Sequence, residues 1–131
     1  MERTASPSTI EEDLIFRPKF DRDGLLLCIT CDTEDRVLMA AFMNAEALRL
    51  TIETRVVHYW SRSRNTLWRK GETSGQTQHL IELRVDCDQD ALLARVDVGG
   101  DGRACHTGRR SCFYRSVAPD GVSLSPVAAE Q

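Results

Sequence analysis

QHLIELRVDCD, residues 78–88, carries the clearest strand signal in the chain. Ile81, Leu83 and Val85 alternate with Leu80, Glu82 and Arg84. A strand turns successive side chains to opposite faces, so the odd positions are expected to face the core. Continued to residue 90, the same parity places Cys87 on the core side and Asp86, Asp88 and Asp90 on the other. If the strand persists that far, thiolate and carboxylates point apart and cannot share one ion.

The flanking sequence extends this into a β-rich domain. GLLLCITC (24–31) and RVLMAAFM (36–43) flank the turn-like DTED and read as a β-hairpin. Asn44 is placed to cap a helix over 45–54, where Leu48 and Ile52 lie four apart on one face. VVHYWS (56–61) is β-branched and aromatic, hence a strand, and ALLARVDV (91–98) and SCFYRSV (111–117) are two more. The expected class is mainly β (α+β): a small antiparallel β-rich single domain over residues 16–117 with one clear helix. Residues 1–15 and 118–131 are rich in Ser, Thr, Pro, Ala and acidic residues without periodicity, and are expected to be flexible tails.

With 131 residues there is room for one modest core. A 41% hydrophobic, 28% charged composition is that of a soluble globular protein, and no apolar run approaches a membrane span. The start MERTASPSTIEED lacks the basic and apolar stretches of a secretory signal, and five cysteines make an odd number, so a reducing cytoplasm is the expected setting. A net charge of −3 argues against generic nucleic-acid binding.

Three constellations suggest chemistry. Asp86, Asp88 and Asp90 resemble the start of an EF-hand loop, but Ala91 and Asp97 stand where that loop needs Gly and Glu. The triplet is therefore either another site for a hard cation or a solvated acidic turn. ACHTGRRSC (104–112) groups Cys105, His106 and Cys112 around a turn-favouring Thr107-Gly108. Such groupings serve as metal sites or nucleophiles, against the plainer reading of small residues buried in a turn. SRSRNTLWRKGETSG (61–75) offers Arg62, Arg64, Arg69 and Lys70 among hydroxyls, a phosphate grip or else a solvated basic loop, with Trp60 and Trp68 available to stack on a base. Cys28-x-x-Cys31 has metal-like spacing but lies in an apolar strand pattern that turns the two thiols to opposite faces, so it is read as structural.

Together YWSRSRNTLWRKGETSG, VDCDQDALL and ACHTGRRSCFYR, with MAAFMNAEAL ahead of them, resemble the phosphoribosyl-AMP cyclohydrolase family of histidine biosynthesis over about residues 20–116. The resemblance implies hydrolytic opening of the adenine ring of phosphoribosyl-AMP: water adds to ring carbon 6, and the bond from nitrogen 1 to carbon 6 breaks. It implies zinc on Cys87, Cys105 and Cys112, and magnesium on Asp86, Asp88 and Asp90. His106 is the expected general base or proton shuttle, and Arg62, Arg64, Lys70, Glu72 and Ser74 are the expected substrate contacts. It further implies an intertwined homodimer whose zinc site joins Cys87 of one chain to the other two cysteines of its partner. Neither nucleic acid nor membrane is an expected partner. The approach VDVGGDGRACH is slightly longer and richer in Gly than is usual in the family.

Two rivals differ in sequence signature. A zinc-dependent purine or cytidine deaminase shows H-x-E followed by P-C-x-x-C, and neither occurs here. A small zinc-stabilised nucleic-acid-binding module would use the Arg, Trp and Tyr residues, but the acidic balance and the carboxylate cluster weigh against it.

Overall fold

The structure, a computed structural model, describes residues 14–99 and 109–127. Its centre is the hairpin formed by β1 (Leu26–Cys31) and β2 (Val37–Met43), which pair antiparallel from Leu26↔Met43 to Thr30↔Met39. Asp32 makes the turn: its Oδ1 accepts the N–H groups of Glu34 and Arg36, each at 2.9 Å, and its Oδ2 accepts from Arg36 Nε at 2.9 Å. An Asx-type turn of this kind satisfies backbone donors that the strands leave unpaired.

Helix α1 (Ala45–Thr54) starts where expected, with Asn44 Oδ1 accepting from Ala47 N at 2.8 Å. Its buried residues are Ala47, Leu48 and Thr51, whereas Ile52 is 42% exposed. The inward stripe thus runs one position earlier than the Leu48–Ile52 pair suggested. Thr51 belongs in it because its hydroxyl donates to Ala47 O (2.8 Å) and accepts from His58 N (2.9 Å), tying helix to strand.

Strands β3 (His58–Ser61), β4 (Thr66–Arg69), β5 (Gln78–Val85) and β6 (Ala91–Val98) complete a sheet of order β4-β3-β2-β1-β6-β5, in which only β1 and β6 run parallel. β4 was not expected, because Thr66–Arg69 lies inside what reads as a basic loop. The chain just ahead of β3 also bonds to β5, through Val57 N to Gln78 O and Leu80 N to Arg55 O, so the sheet curls on itself. Inside the curl lie Leu26, Leu38, Met43, Val57, Tyr59, Leu92 and Val96. A buried polar chain crosses this core: Thr30 Oγ1 and Tyr59 OH are 2.7 Å apart, and Tyr59 OH donates to Gln78 Oε1 at 2.7 Å. Satisfied polar groups cost little in a core, whereas orphaned ones are expensive.

β5 departs from the expected parity. Gln78 and Leu80 are buried while Ile81 is 47% exposed; the register with β6 slips between Leu80 and Glu82, after which Leu83 packs against the core. This bulge switches the inward side from even to odd positions, which uniform alternation does not anticipate. The strand ends at Val85, so Cys87 and the three aspartates sit on a turn, and the opposite-face argument does not apply to them.

A separate hairpin pairs β7 (Arg115–Val117) with β8 (Leu124–Pro126). The strand expected over 111–117 is therefore only its last three residues, and part of the expected C-terminal tail is paired structure. Residues 1–13 and 128–131 of the expected tails lie outside the described residues. Among the described residues no helix is long and apolar enough to cross a membrane.

Candidate active site

The turn between β5 and β6 gathers the carboxylates. Asp86 Oδ1 accepts the N–H groups of Asp90 (3.0 Å) and Ala91 (3.1 Å), and Gln89 closes the turn with a left-handed φ of 63°. Ligand oxygens of Asp86, Asp88 and Asp90 all come within 4.8 Å of one another. Such crowding shows in their acidity: the Asp90 carboxyl is pushed up to about 6 by hydrogen bonds with the Asp88 and Asp86 carboxyls. Partial burial works to raise Asp86, but the Ala91 N–H and the bonds to Asp90 and Asp88 outweigh it and hold this carboxyl below its usual range. Three carboxylates crowded this closely are a donor set suited to a hard divalent cation.

Gln89 was not singled out in the sequence, yet it anchors this turn. It is 4% exposed; its Oε1 accepts from Arg17 N at 2.6 Å, its Nε2 donates to Ile15 O at 3.2 Å, and its carbonyl accepts from Lys19 N at 2.7 Å. The segment entering the domain is thereby pinned against the carboxylate turn.

The second feature is a cleft of about 550 Å³ walled by Ala40, Ala41, Phe42, Trp60, Ser61, Arg62, Ser63, Arg64 and Trp68. Strand alternation brings Phe42 opposite Trp60 across β2 and β3, and the β3–β4 turn carries the two arginines over the mouth. Arg64 is held at Ser61, whose Oγ accepts its backbone N–H at 3.2 Å and its Nε at 3.4 Å. The Trp68 ring rests on buried Tyr59, centroids 5.0 Å apart. Of the five expected substrate contacts, Arg62 and Arg64 line this cleft. Lys70, Glu72 and Ser74 lie on the segment that follows; Lys70 Nζ is 5.8 Å from the Trp68 ring, and Ser74 Oγ accepts from Gln76 N at 3.2 Å. Gly71 makes that segment possible, since at its φ of 88° any Cβ would collide with the Thr77 backbone.

Sheet register shows which features share an end of the molecule. Trp60, Phe42, Leu27 and Ala91 form one row across β3, β2, β1 and β6, so the cleft and the carboxylate turn lie at the same end. Cys87 is exposed on that turn. Cys112 is fixed at the other end: its N–H donates to Leu38 O at 2.6 Å, beside the β2 residues that pair with Thr30 and Cys31. Three to four residues of β1 separate the two ends, roughly 10–13 Å at the usual rise per residue. Within one chain, then, Cys87 and Cys112 are not brought together, and among the described residues only the aspartates form a three-ligand group. Cys105 and His106 lie outside the described residues.

Cys28 and Cys31 behave as structural residues. Both are buried, and burial, only partly offset by a bond to Thr30, pushes the Cys28 thiol up to about 12. Burial also raises Cys31, reinforced by the Asp35 charge. A neutral buried thiol is a poor metal ligand.

The fold and these two features define a class: a small β-rich domain with a cationic, aromatic-walled cleft and a carboxylate turn at the same end of its sheet, a combination suited to a nucleotide. Residues 39–114 match the phosphoribosyl-AMP cyclohydrolase family. A phosphoribosyl-AMP cyclohydrolase of Brucella canis is 60% identical over 130 residues, covering 95% of this chain and 94% of its own. That of Brucella abortus is 60% identical over 125 residues, covering 92% and 90%. That of Rhodopseudomonas palustris is 55% identical over 132 residues, covering 98% and 89%. The chain belongs to the phosphoribosyl-AMP cyclohydrolase family, hydrolases of a cyclic amidine carbon–nitrogen bond.

Proposed function

We propose that this chain opens the adenine ring of phosphoribosyl-AMP in histidine biosynthesis, as a homodimer that uses zinc and magnesium. The observation that carries the reading is the cleft: within this family, it sets two guanidiniums and two indoles around one space. Arg62 and Arg64 hold a phosphate through edge N–H groups, and Trp60 or Trp68 lies against the purine. The substrate ring is electron-poor because nitrogen 1 is alkylated, so carbon 6 accepts the oxygen of water. The bond from nitrogen 1 to carbon 6 then breaks, nitrogen 1 takes a proton, and carbon 6 becomes the carbon of a carboxamide. His106 is the proposed residue that moves the proton.

Asp86, Asp88 and Asp90 fit magnesium, because their oxygens are preassembled and mutually repelling. Cys87, Cys105 and Cys112 are the proposed zinc ligands. Placement of Cys87 and Cys112 at opposite ends of one sheet supports a site shared between chains, Cys87 of one joining Cys105 and Cys112 of the partner subunit. When bound, zinc supplies a Lewis acid that brings the pKa of water to about 7, and magnesium supplies positive charge toward anionic oxygens. Exposed thiols of this kind suit a reducing cytoplasm.

Purified protein supplied with both metals and phosphoribosyl-AMP should give the absorbance change of ring opening and release no ammonia from AMP or adenosine. Unchanged phosphoribosyl-AMP with ammonia released from adenosine would replace this reading with the deaminase one.

A further inference from the structure

Arg62 and Arg64 stand at the same cleft mouth but are held in different ways. Ser61 hydrogen-bonds Arg64. Arg62 instead lies over the Phe42 ring, its guanidinium carbon 4.0 Å from the ring centroid. Phe42 is half-buried on β2, opposite Trp60, and lines the cleft itself together with Ala40 and Ala41.

A guanidinium on a ring is held by its flat face, through attraction to the ring's negative face. All its N–H donors lie in its own plane, pointing outward from the edge. Stacking on Phe42 therefore occupies the part of Arg62 that cannot hydrogen-bond and leaves its edge free for an anion. An exposed arginine otherwise has many rotamers, and ordering one on binding weakens the binding. We propose that Phe42 is the positioning residue for Arg62, stacking that guanidinium so that its edge meets a phosphate of a nucleotide in the cleft. This rests on the reading of the cleft as the nucleotide site.

The chain has two tryptophans, Trp60 and Trp68, and both line the cleft, so intrinsic fluorescence reports occupancy without turnover. AMP serves as the probe. Phe42→Leu should weaken AMP binding by roughly three- to thirty-fold, the range of a cation–π contact, while Phe42→Tyr and Phe42→Trp keep wild-type affinity. Arg62→Gln should weaken binding by at least as much. Adding Phe42→Leu to Arg62→Gln should weaken it no further, because the ring would have no cation left to place. Additive losses in the double variant, or equal losses for Leu, Tyr and Trp at position 42, would overturn the proposal. Thermal melting of each variant separates a folding defect from a binding one, and Phe42→Met replaces Phe42→Leu in the cycle if the latter melts early. No fluorescence response of the wild type to AMP would overturn the proposal together with the cleft as a nucleotide site. Turnover of phosphoribosyl-AMP, measured separately, tests the catalytic reading on its own: its absence alongside intact Phe42–Arg62 coupling would sink that reading and leave the stack standing.

Discussion

Cys28 and Cys112 are identical side chains in different surroundings, one buried and one exposed. With its thiol pushed up to about 12 by burial, Cys28 stays a neutral thiol at neutral pH. It should resist alkylation in the native protein, and Cys28→Ala should keep zinc and activity. Exposed Cys112 should be alkylated by iodoacetamide once zinc is removed, and Cys112→Ala should lose zinc and activity together; mass spectrometry and metal analysis check both. Zinc loss in Cys28→Ala with retention in Cys112→Ala would reverse the assignment. Asp32 gives a prediction in pH. Burial works to raise its carboxyl, but the N–H groups of Arg36 and Glu34 and the Arg36 guanidinium outweigh it and hold the acid below its usual range. A carboxyl lowered in the folded state adds stability above its unfolded value near 4, and that stability is lost as pH falls through the lower folded value. Asp32→Ala should therefore cost about 1–3 kcal/mol in urea unfolding at pH 7 and less at pH 3. An equal cost at both values would show that the charge is irrelevant.

Elements were legible in the sequence to the degree that local chemistry determined them. The β1–β2 hairpin and helix α1 announce themselves through DTED and Asn44, side chains that satisfy their own neighbours' backbone groups. β5 was legible as a strand but not in its facing, because the bulge at Ile81 depends on pairing with β6. β4 was hidden because its short run, TLWR, takes its partner from β3 and lies among charged residues. β8 was hidden for the same reason, its order coming from β7. At the site, the carboxylate spacing was readable, whereas the Gln89 anchor and the Phe42–Arg62 stack arise from residues 72 and 20 positions apart in sequence, counted from Arg17 to Gln89 and from Phe42 to Arg62. The β5–β6 turn supplies its own test. Asp88→Asn should raise the magnesium concentration needed for half-maximal activity while zinc content stays near wild type, since the two donor sets differ in hardness. Unaltered magnesium response in Asp86→Asn, Asp88→Asn and Asp90→Asn alike would reduce the triplet to an acidic turn.

On the scale of the molecule, one chain carries the cleft and the carboxylate turn at one end of its sheet and Cys112 at the other. A single copy thus holds Cys87 and Cys112 apart, and the proposed shared zinc site requires a second copy to bring its Cys87 to this chain's Cys112. Exposed apolar residues at both places fit that arrangement: Val85 at the end of β5, two residues ahead of Cys87, and Phe113, Val117 and Leu124 around the β7–β8 hairpin. A domain of this size buries a limited core alone, so a shared metal would couple assembly to folding. The most direct measurement is complementation between two inactive chains, Cys87→Ala and Cys112→Ala, unfolded together and refolded with zinc and magnesium. Random pairing makes about half the dimers mixed, and each mixed dimer has one of its two sites complete, so about one quarter of wild-type ring-opening activity should return. Verified mixed dimers with no activity, or a wild-type monomer fully active in sedimentation, would contradict the shared site.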